Sequence, residues 1–174
     1  MHEAERYSAV EVLRDGSRVE IRALRPDDRA AVLAAVDHTS ERSLYRRFFA
    51  AKRTFTEQEI AFFLNVDFAS HVALVAVVSH DENGEEIVGG GRYIVLQPGR
   101  AEAAFSVVDQ FQGHGLGTVL LRHLAAIARD AGILEFVAEV LPDNTPMLAV
   151  FEHSGFPMTS RREPGVVHVT LRLA

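Results

Sequence analysis

The chain has 174 residues, of which 48% are hydrophobic and 24% are charged, and its formal net charge is −6 at pH 7. These values fit one globular domain of residues 1–174, and the acidic balance argues against nucleic-acid binding, which needs a basic field. The absence of cysteine excludes disulfides, thiolate metal sites and covalent thiol intermediates. No apolar run reaches membrane-span length and the first residues lack a signal-peptide pattern, so a cytoplasmic protein without membrane contact is expected.

Hydrophobic patterning predicts an α/β chain that begins with strands and a few helices and ends as strand–helix–strand–helix–strand. Two short strands flank the Asp15-Gly16 turn, and Pro26 suits the first turn of a helix that continues to about residue 36. The sequence Thr56-Glu57-Gln58-Glu59 fits a capping box. The remaining predicted elements are a helix over 40–49, strands over 71–79, 86–96, 101–108 and 133–141, helices over 116–131 and 144–153, and the closing strand VVHVTLRL.

The stretch DQFQGHGLGTVLL, residues 109–121, places Gly113, Gly115 and Gly117 between a predicted strand and a predicted helix. Glycine permits positive φ and lets backbone N–H groups approach a ligand with no Cβ in the way. The first-turn N–H groups of a helix have no internal partner, and the helix dipole favours negative charge. The segment therefore predicts a cradle for a phosphate or pyrophosphate, with a tight turn that binds nothing as the alternative.

The glycine spacing excludes two common nucleotide-binding motifs. A P-loop needs Gly-Lys-Ser/Thr, but Gly117 is followed directly by Thr118. A dinucleotide fingerprint needs G-x-G-x-x-G, and neither glycine pair has a glycine at the third position. The pattern that fits is Q-x-x-G-x-G, formed by Gln112, Gly115 and Gly117.

The segment SVVDQFQGHGLGTVLLRHLAAIARDAGI, followed by EVLPDNTPM and FEHSGF, resembles the GNAT superfamily of N-acetyltransferases. The resemblance implies a mixed, mostly antiparallel central sheet with helices on both faces and a splayed strand pair that holds acetyl-CoA. The coenzyme-binding core would span about 101–156. Further stretches, SERSLYRRFF, VDFASHVALVA, IVGGGRY and AEAAFSVVD, resemble the catalytic domain of Pat-type bacterial protein lysine acetyltransferases.

This resemblance implies a set of coenzyme-binding residues. Backbone N–H near Val107 or Val108 would polarise the acetyl carbonyl, and Asn144 matches the family's coenzyme-contacting asparagine, a role compatible with a helix N-cap. Phe151 stands where many relatives have the tyrosine proposed as general acid, so no general acid is assigned and water or the ammonium product is expected to protonate the thiolate. The loop residues implied in binding are Gln112, Gly113, His114, Gly115, Leu116, Gly117 and Thr118.

Glu102 is the predicted catalytic base. The sequence alone favours an exposed strand glutamate, which would share a face with the small residues Ala104 and Ser106. The resemblance implies catalysis instead, because the Pat-type pattern places its catalytic glutamate in the matching A-E-x-A position. A carboxylate there would take a proton from the attacking amine, directly or through water.

The histidines predict no metal site. His114 either touches phosphate or is an exposed loop residue, and His71 at the start of an apolar strand is expected to be structural. The implied reaction is transfer of an acetyl group from acetyl-CoA to an amine acceptor, a protein lysine in the Pat-type case, by a monomer or homodimer. The alternatives are a small-molecule amine acetyltransferase and a non-catalytic acyl-CoA-binding sensor module. The basic residues expected to face an acidic protein target are Arg42, Arg46, Arg47, Lys52 and Arg53.

Overall fold

The computed structural model describes residues 3–37, 57–80 and 84–173. Within these residues, eight strands form one sheet in the order β1-β2-β3-β4-β5-β6-β8-β7, in which β5–β6 is parallel and the other neighbours are antiparallel. This architecture confirms the predicted mixed, mostly antiparallel sheet. The strands are β1 (Ser8–Val12), β2 (Arg18–Ala23), β3 (His71–His80), β4 (Gly84–Gln97), β5 (Arg100–Val107), β6 (Glu135–Val140), β7 (Met158–Glu163) and β8 (Val166–Arg172).

Helices cover both faces of the sheet, as predicted. The described α-helices are α1 (Arg29–Asp37), α2 (Glu57–Leu64), α3 (Leu116–Asp130) and α4 (Thr145–Glu152). Side chains of α3 and α4 pack in a large core with one face, where Leu120, Leu124 and Phe136 are buried. Val32 of α1 and Leu64 of α2 pack with a smaller cluster on the other face. Among the described residues, no helix has both the length and the hydropathy needed to cross a membrane.

The predicted strand–helix–strand unit around the glycines is present. Strand β5 leads through the glycine-containing loop into α3, and β6 returns parallel to β5. Helix α3 begins at Leu116 as predicted and ends one residue before the predicted boundary, with Gly132 at φ 88° just beyond it. The left-handed conformation at Gly132 ends the helix at little steric cost because glycine has no Cβ.

Two details differ from the sequence prediction. Strand β7 was not predicted, because its residues, MTSRRE, are mostly exposed and show no apolar alternation at the edge of the sheet. Leu134 lies within the predicted strand 133–141, yet it precedes β6 and is 60% exposed. The predicted helix over 40–49, Thr56 of the capping box and the basic residues between 42 and 53 lie outside the described residues.

A buried ion pair joins β2 to the turn before α1. The Arg22 guanidinium donates to both carboxylate oxygens of Asp28 at 2.8 and 2.9 Å, and the Arg25 N–H donates to the same carboxylate at 2.7 Å. Burial alone would raise the pKa of Asp28, but the hydrogen bonds from Arg22 and Arg25 outweigh it and lower that pKa. Asp28 is therefore ionised at neutral pH, and the pair anchors the start of α1.

Candidate active site

Strands β5 and β6 separate from each other at Glu102. Their parallel register contains Arg100, Ala101 and Glu102 of β5 and ends there, although β5 continues to Val107. Beyond this point β6 stays paired with β8 up to Val140. A gap therefore opens between the carboxyl ends of the two strands, which is the predicted splay.

The hydrogen-bond phase of β4 and β5 decides which N–H groups face this gap. Directly opposite residues in an antiparallel pair alternate between hydrogen-bonded and non-hydrogen-bonded pairs. The Val108 N–H donates to the opposite Val88 carbonyl at 2.9 Å, so the alternation turns the N–H groups of Phe105 and Val107 away from β4 and toward the gap. Of the two predicted donors, the Val108 N–H is already bonded within the sheet, whereas Val107 keeps an N–H on the open side.

The glycine loop turns the chain from β5 into α3. Gly113 and Gly115 have φ values of 83° and 87°, and a Cβ on Gly113 would meet no atom within 4 Å. Gly115 is the N-cap of α3, and its carbonyl accepts the first helical hydrogen bond, from Val119, at 3.1 Å. Within the described residues, the backbone N–H groups of the first turn, residues 116–118, have no backbone acceptor. These donors at the positive end of the helix dipole suit an anion.

Gly117 has a different function from the other two glycines. It lies inside α3, and a Cβ at this position would come within 2.9 Å of Val150 Cγ2 in α4. Carbon atoms normally pack at about 3.5–4.0 Å, so only glycine fits this crossing without movement. Gly117 therefore sets the separation of α3 and α4.

Gln112 and His114 form specific contacts within and beside the loop. The Gln112 side-chain amide donates to the Val107 carbonyl at 3.0 Å, which ties the loop to the end of β5. His114 Nδ1 lies 2.9 Å from a carboxylate oxygen of Asp15, in the β1–β2 turn. His114 does not line the cavity described below, so the prediction that it contacts the coenzyme is not supported by its position.

A cavity of about 520 Å³ runs beside the glycine loop and includes residues from both sides of the β5–β6 gap. Every predicted site residue except His114 lines it. Leu116 lines the cavity at the start of the helix, but its side chain is buried in the core. Its backbone N–H is therefore the group able to contact a ligand. Among the arginines that the structure describes, three line the cavity without having been predicted: Arg14, Arg29 and Arg92.

Helix α4 supplies one wall of the cavity. Asn144 is the N-cap of α4 and is only 8% exposed, and its Oδ1 accepts the Met147 N–H at 3.3 Å. This confirms the N-cap interpretation and leaves the Asn144 side-chain NH₂ for other contacts. Phe151 is 1% exposed and packs edge-to-face on Phe105 at 6.1 Å between ring centroids. The wall at Phe151 is therefore hydrocarbon and has no proton to donate.

Glu102 lies on the opposite face of β5 from Phe105. It is exposed, lines the cavity and stands directly opposite Ile94 of β4, which in turn stands opposite His71 of β3. Ala104, the next residue on this face, stands opposite Arg92. Glu102 and Arg92 are therefore diagonal neighbours on one face, within reach of long side chains.

His71 and Arg92 form a pair that the sequence did not reveal. His71 is 7% exposed, its Nε2 lies 2.9 Å from an Arg92 nitrogen, and its ring stacks on Phe62 at 5.1 Å. Burial, together with the charge of Arg92, lowers the pKa of His71 to about 4. His71 is therefore neutral at pH 7 and Nε2 accepts from Arg92, which fixes this guanidinium near Glu102. The expectation that His71 is structural agrees with this geometry.

A second cavity, of about 600 Å³, lies on the Glu102 side of the sheet along β5, β6, β8 and β7. Glu102 and Glu139 line both cavities. Most other side chains of the second cavity are polar, including Thr159, Thr170 and His168. Glu102 thus stands where the cavity at the glycine loop meets a second, polar cavity. The described residues hold no group of three or more His, Asp or Glu side chains arranged to bind a metal ion.

Residues 42–156 match the model of the Acetyltransferase (GNAT) family, which is more than half of the chain. The chain belongs to this family. It is 34% identical over 124 residues to Acetyltransferase PA5475 of Pseudomonas aeruginosa, covering 71% of this chain and 66% of that protein. It is 30% identical over 159 residues to Acetyltransferase Pat of Mycolicibacterium smegmatis, covering 89% of this chain and 46% of that protein.

The crystal structure of the GNAT domain of S. lividans PAT has the same fold, with a TM-score of 0.86 and 34% identity over 95% of this chain and 96% of that chain. The chain spans 66% and 46% of the two curated relatives, so it corresponds to a part of each of them.

Family membership identifies the chain as an acetyltransferase domain. The structure of yncA from Salmonella typhimurium with its cofactor acetyl-CoA shares the fold, with a TM-score of 0.70 and 22% identity over 90% of this chain and 94% of that chain. The residues present fit acetyl-CoA. The unpaired first-turn N–H groups of α3 suit its diphosphate, and the β5–β6 gap next to Glu102 suits its thioester end.

Proposed function

We propose that the domain transfers the acetyl group of acetyl-CoA to a primary amine, with a protein lysine as the acceptor, and that Glu102 is the catalytic base. The observation that carries this proposal is the position of Glu102, which lines both the cavity at the glycine loop and the polar cavity along β6, β8 and β7. The catalytic base must reach both the acetyl donor and the amine acceptor. Glu102 borders the cavity proposed for the donor and the cavity proposed for the acceptor.

In the proposed reaction the amine nitrogen forms a bond with the thioester carbonyl carbon, and the carbon–sulfur bond breaks. Glu102 takes a proton from the amine, directly or through water, because only the neutral amine has the lone pair that attacks. The Val107 N–H, on the open side of β5, would donate to the carbonyl oxygen as negative charge develops there. Phe151 cannot protonate the leaving thiolate, so water or the positively charged nitrogen of the tetrahedral intermediate supplies that proton as the neutral amide forms.

The loop holds the donor through its backbone in this proposal. The N–H groups of Leu116, Gly117 and Thr118 would bind the diphosphate, and Gln112 would keep the loop in place through its hydrogen bond to the Val107 carbonyl. The NH₂ group of Asn144 would contact the pantetheine arm, since its oxygen is occupied by the cap. These residues act by positioning, which can supply a large part of the rate of a direct transfer.

Two observations support a lysine acceptor. The cavity beyond Glu102 is polar, and it is lined by sheet residues that include Thr159 and Thr170. The domain also resembles, at 34% identity over nearly its full length, the GNAT domain of S. lividans PAT. A long lysine side chain entering from a protein surface would reach Glu102 through this cavity.

The test is the Glu102→Gln variant, with Glu152→Gln on the exposed end of α4 as the matched control. Glu102→Gln should bind acetyl-CoA like the wild type in a calorimetric titration, yet transfer roughly 10²–10⁴-fold more slowly at neutral pH. Release of the coenzyme thiol and mass spectrometry of the acceptor measure the transfer. Unchanged turnover of Glu102→Gln under chemistry-limited conditions would remove Glu102 from the mechanism.

The acceptor class requires a separate experiment. Lysine-containing proteins and peptides are compared with polyamines, amino acids and other small amines at equal concentration. Acetylation of protein lysines with a higher kcat/KM supports the proposal, and a preference for a small amine refutes it. Tight binding of acetyl-CoA without transfer to any acceptor would favour the sensor-module alternative.

A further inference from the structure

The turn between β1 and β2 lies against the glycine loop. The loop residue His114 donates from Nδ1 to the Asp15 carboxylate at 2.9 Å. The turn itself is closed by hydrogen bonds from the Gly16 N–H to the Leu13 carbonyl and from the Ser17 N–H to Asp15, both at 2.9 Å. The bond from Ser17, followed by the interaction with His114, lowers the pKa of Asp15, so its carboxylate is charged at neutral pH. These contacts fix the turn on the loop.

This docking brings the side chain of Arg14 to the start of α3. Arg14 Nε lies 3.4 Å from the position that a Cβ on Gly115 would occupy, and Cζ and Nη2 lie 3.8 Å from it. Arg14 also lines the cavity that contains Gly113, Gly117 and Thr118. Its guanidinium therefore stands beside the same first turn of α3 whose N–H groups lack backbone acceptors.

The charge at this position is unfavourable without a ligand. A cation beside a helix N-terminus is repelled by the positive end of the helix dipole. In the described part of the chain, residues 3–37, 57–80 and 84–173, no carboxylate forms an ion pair with Arg14, and the adjacent Asp15 is engaged by His114. A guanidinium, unpaired N–H groups and a helix dipole thus converge on one cavity, and all three favour an anion there.

We propose that Arg14 is a ligand of the diphosphate of acetyl-CoA, and that the Asp15–His114 pair holds it in position. The inference rests on the proposed function, because it assigns a further residue to the same donor site. The planar guanidinium can give two parallel N–H bonds to phosphate oxygens, while the backbone of α3 binds from the other side. The Q-x-x-G-x-G spacing gives no indication of Arg14, which is about one hundred residues earlier in the chain.

The test compares Arg14→Met with Arg18→Met, a control at an exposed position at the start of β2. Calorimetric titration of the full chain measures the Kd for coenzyme A and for dephospho-coenzyme A, which lacks the 3′-phosphate but keeps the diphosphate. Arg14→Met should raise the Kd of both ligands by roughly 10- to 100-fold, as expected for a lost charge-assisted contact. Arg18→Met should bind both like the wild type.

A second readout separates ligand binding from a structural role. Removing a cation that is repelled by the helix dipole should leave the Tm of the ligand-free Arg14→Met protein equal to that of the wild type or higher. The increase in Tm on adding saturating coenzyme A should nevertheless be smaller for this variant. Asp15→Ala should also weaken the binding of coenzyme A. In the Arg14→Met background it should add little, because both changes remove the same interaction, that of Arg14 with the diphosphate.

The outcomes are distinguishable. Equal affinity of Arg14→Met and wild type for coenzyme A overturns the assignment of Arg14 and leaves the proposed function intact. If Arg14→Met loses affinity for coenzyme A but not for dephospho-coenzyme A, Arg14 lies at the 3′-phosphate and the diphosphate assignment is overturned. A lower Tm of the ligand-free variant indicates a structural role instead. Failure of the wild-type chain to bind either ligand overturns the proposed function together with this inference.

Discussion

The close approach of Gly117 and Val150 predicts that Gly117→Ala destabilises the protein when Val150 is present and stabilises it when Val150 is replaced by alanine. Gly117→Ala should stabilise an isolated helix by about 0.5–1 kcal/mol, because glycine loses more backbone entropy in a helix. In the protein, the new Cβ would lie 2.9 Å from Val150 Cγ2, and the branched side chain of valine in a helix has one strongly preferred rotamer. Overpacking of this kind costs about 1–3 kcal/mol, so Gly117→Ala should be destabilising overall.

The Val150→Ala background removes the obstructing methyl groups. In that background Gly117→Ala should stabilise the protein by about 0.5–1 kcal/mol, which gives a coupling energy of about 1–3 kcal/mol between the two positions. Urea unfolding followed by circular dichroism measures the four free energies of unfolding. Gly132→Ala, at the opposite end of α3 with φ 88° and no neighbour within 4 Å, is the control and should cost about 1–2 kcal/mol in both backgrounds.

Equal effects of Gly117→Ala in the two backgrounds would refute the packing explanation. Coenzyme binding provides a second criterion, since alanine keeps the backbone N–H of residue 117. The double variant should bind coenzyme A nearly as tightly as the wild type. A large loss of affinity in the double variant would mean that Gly117 is needed for close approach of the ligand itself.

Two further predictions concern buried ionisable groups outside the loop. Asp28→Asn should lower the free energy of unfolding by about 3–5 kcal/mol, because it leaves Arg22 buried without its main counter-charge. Urea unfolding should show that the Arg22→Met/Asp28→Leu double variant recovers most of this loss. A loss below about 1 kcal/mol would contradict this account. The pKa of His71 is about 4 in the folded state and 6.5 ordinarily, so between these pH values only the unfolded chain takes up a proton. The free energy of unfolding therefore falls as the pH is lowered from 6.5 toward 4, with a slope of about 1.4 kcal/mol per pH unit. His71→Gln should lack this slope, so the difference in free energy of unfolding between the wild type and the variant should change with pH between 6.5 and 4. Parallel pH profiles of the two proteins would contradict the buried, neutral state.

The sequence predicted the elements that have a strong local pattern. Helix α3 has a clear apolar stripe and a glycine at each end, and its predicted start at Leu116 is correct. Strand β7 has neither alternation nor a buried face, so nothing local distinguishes it from a loop. It forms because β8 offers an edge along which its backbone pairs.

The missing parts of the site depend on relations that a single sequence does not encode locally. The choice between Val107 and Val108 depends on which of them lies in a hydrogen-bonded pair with β4, and a shift of one residue would reverse the answer. The pair formed by His71 and Arg92 depends on the register of two strands that are distant in sequence. Arg14 reaches the loop only because Asp15 and His114 meet across 99 positions.

The three glycines of the loop meet different physical demands that happen to fall at alternate positions. Gly113 and Gly115 supply the left-handed backbone that turns the chain from β5 into α3, whereas Gly117 allows α4 to approach. None of these demands requires a ligand, so the motif by itself is compatible with a turn that binds nothing. The stronger argument for an anion comes from groups that the fold leaves electrostatically unsatisfied there, namely the first-turn N–H groups and the guanidinium of Arg14. For this reason the affinity of Arg14→Met for coenzyme A is more informative about the donor site than any glycine substitution, whose effect on folding and on binding cannot be separated as easily.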